Sequence, residues 1–86
     1  MTVDELTEEL RKLVASIDNK RRDIAIDTNI LSELDFNSLQ LLELAERIKT
    51  RFGTQILGEP FALIDIESAR TLANAMLVKD PSNNGP

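Results

Sequence analysis

The stretch Leu31-Ser-Glu33-Leu34-Asp35-Phe36-Asn37-Ser38-Leu39-Gln40-Leu41-Leu42-Glu43-Leu44-Ala45-Glu46-Arg47-Ile48-Lys49-Thr-Arg51-Phe52-Gly53 decides how the rest of the chain is read. From Leu41 the apolar residues fall at Leu41, Leu44, Ala45, Ile48 and Phe52, the i, i+3, i+4, i+7, i+11 spacing of a single helical stripe. Gly53 follows the last stripe residue, where a left-handed C′ position is expected. Asn37 and Ser38, both of a type that caps helices, mark the start. The stretch therefore reads as a loop that delivers Ser38 to the first turn of an amphipathic helix, about Ser38 to Phe52. Unsatisfied N–H groups and the positive end of the helix dipole favour negative charge there, so a phosphate ester would be tolerated.

Working outward, Thr2-Val-Asp-Glu5 is a capping-box pattern that opens a first helix over roughly 3–17. Leu6, Leu10, Leu13, Val14 and Ile17 form its apolar face, with Glu8, Glu9, Arg11 and Lys12 on the other. The connection from Asp18 to Phe36 is longer than most loops in compact domains. Its start, Asn19-Lys20-Arg21-Arg22-Asp23, reads as a solvated polar turn more readily than as an anion patch. Ile24, Ile26, Ile30, Leu31, Leu34 and Phe36 recur too often for free solvent, so this loop is expected to lie on the helices and close one end of the core. Ile24 and Ile26 alternate with polar neighbours as in a strand, but no second strand is legible to pair with it. After Gly53 an extended piece leads to Pro60, a residue tolerated in a first helical turn, and a short helix is expected over Glu59 to Ile64. Ser68 is placed to cap a last helix with Ala69, Leu72, Ala73, Met76 and Leu77 on one face. The polar segment 80–86 is expected to be disordered. The resulting expectation is an all-α fold in one domain, residues 1–79. It is a small four-helix bundle of three long helices and one short one, with a long first loop.

Composition sets bounds on function. Eighty-six residues allow one small domain. A net charge of −5 argues against a nucleic-acid partner. No apolar run approaches the ~20 residues that cross a bilayer, and no secretion signal is visible, so a cytoplasmic protein is expected. His, Cys, Tyr and Trp are all absent. A Ser–His or Cys–His nucleophile system and a His/Cys zinc site are thereby excluded. The remaining carboxylates, Lys and Arg are spread over helix surfaces, so the expectation is no enzyme and no metal. Any reactive group is one added after translation.

The run Asp27 to Leu39 resembles the approach to the attachment site of acyl carrier proteins. That family carries an Asp-Ser-Leu tripeptide preceded by a leucine and a hydrophobic residue. A Glu-bearing amphipathic helix follows, ending near Phe-Gly. Leu34, Phe36, Ser38, Leu39, Glu43, Phe52 and Gly53 stand at matching spacings, and the likeness extends from about Asp4 to Val78. Asn37 stands where the family usually has Asp, which bears on the class of transferase that modifies the chain. The resemblance implies that Ser38 accepts a 4′-phosphopantetheine from coenzyme A through a separate phosphopantetheinyl transferase, and that acyl or aminoacyl groups ride on the arm as thioesters. The plain structural reading is that Ser38 only caps the helix.

The same resemblance implies a docking face around Ser38. Glu33, Asp35, Glu43 and Glu46 would steer partner enzymes, Asn37 would face the transferase, and Leu39 and Leu42 would supply apolar contact. Alternatively, the carboxylates serve solubility alone and Leu39 and Leu42 fill the core under the loop; for Leu42 the two readings are even. Gln40 replaces a frequent acidic residue, and Arg47, Lys49 and Arg51 make the far end of the helix basic. These departures from fatty-acid carriers point to a freestanding, monomeric carrier of polyketide or mixed polyketide–peptide antibiotic assembly, served by acyltransferase, adenylating or ketosynthase enzymes. An unmodified acidic adaptor and a small Asp/Glu enzyme are the competing classes.

Overall fold

A computed structural model describes residues 1–20 and 22–79. Three α-helices run α1 (Val3–Ile17), α2 (Ser38–Phe52) and α3 (Ala69–Lys79), with a 3₁₀ turn at Leu63–Ile66. The predicted tail 80–86 lies outside the described residues, and among these no strand forms at Ile24–Ile26 or elsewhere.

Each helix starts where side chains replace missing backbone acceptors. Thr2 Oγ1 accepts from Glu5 N at 3.1 Å while Glu5 Oε1 accepts from Thr2 N at 3.0 Å. Ser68 Oγ accepts from Thr71 N at 3.2 Å, and Thr71 Oγ1 accepts from Ser68 N at 2.9 Å. α2 ends on Gly53, whose φ of 76° is the left-handed conformation that a Cβ would penalise.

The core is shared by helices and loops. Leu10, Leu44, Ile48, Leu72 and Met76 are fully buried, and so is Ile30 from the long loop, with Ile24, Leu34 and Phe36 also inside. α1 packs against both α2 and α3. The long loop is also tied to α3 by its backbone: Ile30 N donates to Glu67 O at 2.7 Å and Arg70 N to Ile26 O at 3.0 Å.

The short helix is displaced from its expected place. Residues Glu59–Pro60 lie in a turn closed by Phe61 N donating to Gly58 O at 3.1 Å, with Gly58 at φ 95°. The helical turn begins only at Leu63 and is 3₁₀. Buried Phe61 precedes it and buried Ile66 is its last residue, and Asp65 accepts from Ala62 N at 2.8 Å and from Lys79 Nζ at 2.7 Å. Proline's preference for a first helical turn is overridden here by the glycine turn that seats Phe61. The bundle is thus three α-helices and a 3₁₀ turn.

Candidate functional site

At the head of α2, Asn37 is the N-cap. Its Oδ1 accepts from Gln40 N at 2.9 Å, and Gln40 Oε1 accepts from Asn37 N at 2.9 Å. This reciprocal box leaves the cap role to Asn37, so the plain reading of Ser38 as the capping residue does not hold. Ser38 is the first helical residue, exposed, and its hydroxyl has no hydrogen-bond partner among the described residues. Gln40 N is satisfied by the cap and Leu41 N by Asn37 O at 3.0 Å. The N–H groups of Ser38 and Leu39 remain open to solvent beside the hydroxyl. Several other hydroxyls are engaged, namely Thr2, Ser68 and Thr71 in caps, Thr7 on Val3 O, Thr28 on Ala25 N, and Ser16 between Leu13 O and Arg47, while those of Ser32 and Thr50, like that of Ser38, have no hydrogen-bond partner among the described residues.

The approach to Ser38 is built residue by residue. Asn29 Oδ1 accepts from Leu31 N and Ser32 N at 2.9 and 2.8 Å, and Glu33 Oε2 accepts from Asn29 N at 2.8 Å. Leu34 and Phe36 point inward, and Asp35 between them turns the chain at φ 54°. Asp is among the few non-glycine residues that tolerate this region. Glu33 and Asp35, expected as docking carboxylates, are exposed but also have these local duties.

One arginine holds this approach from outside. Arg22 binds Asp18 through N at 2.9 Å, Nη2 at 2.7 Å and Nε at 3.3 Å, and donates to Glu33 O at 3.2 Å and Leu34 O at 2.9 Å. Asp18 is buried, and hydrogen bonding from Arg22 holds its carboxyl at about 2, below the ordinary 3.8. The reading of residues 19–23 as a solvated turn is corrected for Arg22, which is a structural clamp; Arg21 lies outside the described residues. The i, i+4 spacing of Asp18 and Arg22 across a helix end was the available signal.

Leu39, Leu42, Glu43 and Glu46 share one face of α2, away from the buried Leu44, Ala45 and Ile48. Leu39 and Leu42 are 76% and 54% exposed, so neither fills the core. Glu43 pairs with Arg47, whose Nη1 also donates to Ser16 Oγ on α1 at 2.7 Å. Arg51 pairs with Glu9 on α1 and lies over the Phe52 ring at 5.6 Å. Much of the basic end of α2 is therefore spent on holding α1. Glu46 is exposed.

Residues 8–76 match the family described as "Phosphopantetheine attachment site". The chain belongs to that family. It is also 29% identical over 79 residues to an acyl carrier protein of Petrotoga mobilis (strain DSM 10674 / SJ95), an alignment covering 88% of this chain and 85% of that relative. No solved structure matches it significantly. As a phosphopantetheine-attachment protein it is a carrier and not itself a catalyst, and its prosthetic group is covalently held 4′-phosphopantetheine. The head of α2 fits that group: an exposed, uncommitted hydroxyl stands beside two open N–H groups at the positive end of a 15-residue helix. Among the described residues no helix is long and apolar enough to cross a membrane, and no acidic cluster is arranged to hold a metal.

Proposed function

We propose that Ser38 is the attachment point and that the protein carries acyl or aminoacyl groups between enzymes of polyketide or mixed polyketide–peptide assembly. One observation carries the reading: Asn37 caps α2, which leaves the Ser38 hydroxyl exposed and without a structural task. Ser38 Oγ is the nucleophile that a transferase activates, since this chain has no His or Cys to act as its own base. Attack of Oγ on the phosphopantetheinyl phosphorus of coenzyme A breaks the pyrophosphate linkage and releases adenosine 3′,5′-bisphosphate, the hydroxyl proton passing to the transferase. The open N–H groups of Ser38 and Leu39 favour the negative charge of the phosphodiester formed there. When bound, the arm supplies the terminal thiol on which acyl groups are held as thioesters.

The outward face of α2 supports docking around this point. Leu39 and Leu42 offer apolar contact, with Glu33, Asp35, Glu43 and Glu46 for steering and Asn37 facing the transferase. The acidity of that face is reduced, because Glu43 is paired with Arg47 and the neutral Gln40 stands where an acidic residue is frequent. This supports a dedicated carrier over one of primary fatty-acid synthesis. The working partners are a phosphopantetheinyl transferase and acyltransferase, adenylating or ketosynthase enzymes, met by a monomer in the cytoplasm. The same apolar face would also serve an unmodified adaptor, and mass separates the two.

The test is intact and fragment mass of the protein isolated from its native host. The reading expects an arm on Ser38 bearing a ketide or aminoacyl unit. A series of saturated fatty-acyl chains would reassign the pathway, and a uniformly unmodified chain would favour the adaptor.

A further inference from the structure

We propose that Arg22, anchored by Asp18, is the positioning residue for Ser38. The proposal rests on the reading of Ser38 as the attachment point and adds how the fold presents it.

The argument starts at the end of α1. Asp18 caps that helix, with its N–H on Val14 O at 3.0 Å, and its side chain is 1% exposed. A carboxylate so buried must be paired, and Arg22 pairs it through two side-chain nitrogens and its own backbone N–H. The same guanidinium also donates from Nη1 to Glu33 O and from Nη2 to Leu34 O. Leu34 O belongs to the peptide that enters Asp35, the residue held at φ 54°, and three residues later the chain reaches Asn37 and Ser38. Leu34 and Phe36 fix the loop by burying side chains, and Phe36 N donates to Ile30 O at 3.2 Å, which holds the peptide leaving Asp35, but neither fixes the plane of the Leu34–Asp35 peptide that enters it. The arginine fork does, because its planar donors define the direction of both carbonyls. On this side nothing else fills the space: a cleft of about 230 Å³, lined also by Lys20, Asp35 and Gln40, separates the clamp from the first turn of α2. The start of α2 is thereby referred to the end of α1 through one side chain.

Without the clamp, the Asp35 peptide is free to leave its left-handed conformation, and only a fraction of molecules presents Ser38 as the transferase requires. A competent fraction of one tenth raises the apparent KM about tenfold while kcat at saturation is kept.

The experiment measures kcat and KM for arm transfer from coenzyme A by a promiscuous transferase, together with melting temperature and the Asp35 HN–Hα coupling. The proteins are wild type, Arg22→Gln, Arg22→Lys, Asp18→Asn and Ile48→Val, the last a core variant that lowers stability away from the loop. The expected result is a KM about tenfold higher for Arg22→Gln, intermediate for Arg22→Lys because an ammonium cannot span both carbonyls and the carboxylate, and unchanged for Ile48→Val at similar stability. The Asp35 coupling should shift only in the clamp variants. Should Arg22→Gln fail to fold, Arg22→Lys and Asp18→Asn carry the same comparison. A wild-type KM in folded clamp variants, or the same rise in Ile48→Val, overturns the positioning role and leaves Ser38 in place. An arm found on a Ser38→Ala chain overturns the attachment reading itself.

Discussion

At Asn37 one side chain settles what its neighbour is free to do. Because Asn37 Oδ1 takes the Gln40 N–H, Ser38 is spared the cap. Aspartate caps as well as asparagine and suits the helix dipole better, so Asn37→Asp should fold with an equal or slightly raised melting temperature, whereas Asn37→Ala should lose about 1 kcal/mol in denaturant unfolding. A loss in the Asp variant comparable to that in the Ala variant would show that the cap geometry is wrong. Two residues earlier, Asp35 holds φ 54°. Asp35→Gly should be neutral or stabilising and Asp35→Val should cost about 1–3 kcal/mol, since a β-branched residue is the least tolerant of that region. Equal stability of the two variants would mean that Asp35 does not occupy the left-handed region in solution. The cap at Asn37 was readable from residue type, although Ser38 offers the same chemistry; the left-handed turn at Asp35 was not, because a carboxylate before a helix reads as surface charge.

At the scale of elements, the helices were legible because each carries an unbroken apolar stripe between a cap and a stop, and α1 and α2 fall at the boundaries that pattern predicts. The short helix was not, because Pro60 gives the same signal for a helical start as for a turn, and only the burial of Phe61 and Ile66 chooses between them. The arginines of the loop and of α2 were misjudged for a similar reason. Arg22, Arg47 and Arg51 find partners on other segments, which no local pattern announces. Asp18 gives this a pH signature. Its folded pKa is depressed to about 2 from 3.8, so its stabilisation is present above about pH 3.8 and is lost as pH falls through about 2. Asp18→Asn should therefore melt lower than wild type at neutral pH, and the gap should narrow between about pH 4 and pH 2. A gap independent of pH would remove the ion pair from the account. On α2, Glu43 and Glu46 are exposed, and the Glu43–Arg47 pair contributes about 0.3–0.5 kcal/mol at most. Reversal of both to Lys should barely move the melting temperature and should slow acyl transfer by a partner enzyme in a salt-dependent way. Unchanged transfer at low salt would place the docking face elsewhere.

At the scale of the whole molecule, the long loop is part of the core and not a tether between helices. Ile30 from that loop and Leu10 from α1 are both fully buried. Ile30→Ala and Leu10→Ala should each cost about 2–5 kcal/mol, a large share of the stability of a chain this size, and a much smaller loss for Ile30 would detach the loop from the folding unit. That the loop had to be buried was readable from its recurring isoleucines and leucines; which carbonyls it presents, and to which side chains, was not. The whole assembly of capped helix, clamped loop and spared hydroxyl converges on one claim, that Ser38 is the residue that takes the arm. Intact mass tests it most directly, on apo protein incubated with coenzyme A and a promiscuous phosphopantetheinyl transferase. Wild type should gain a single phosphopantetheine and Ser38→Ala none, with both proteins showing the same melting temperature. An unmodified wild type across several transferases, or a modified Ser38→Ala chain, would contradict the account.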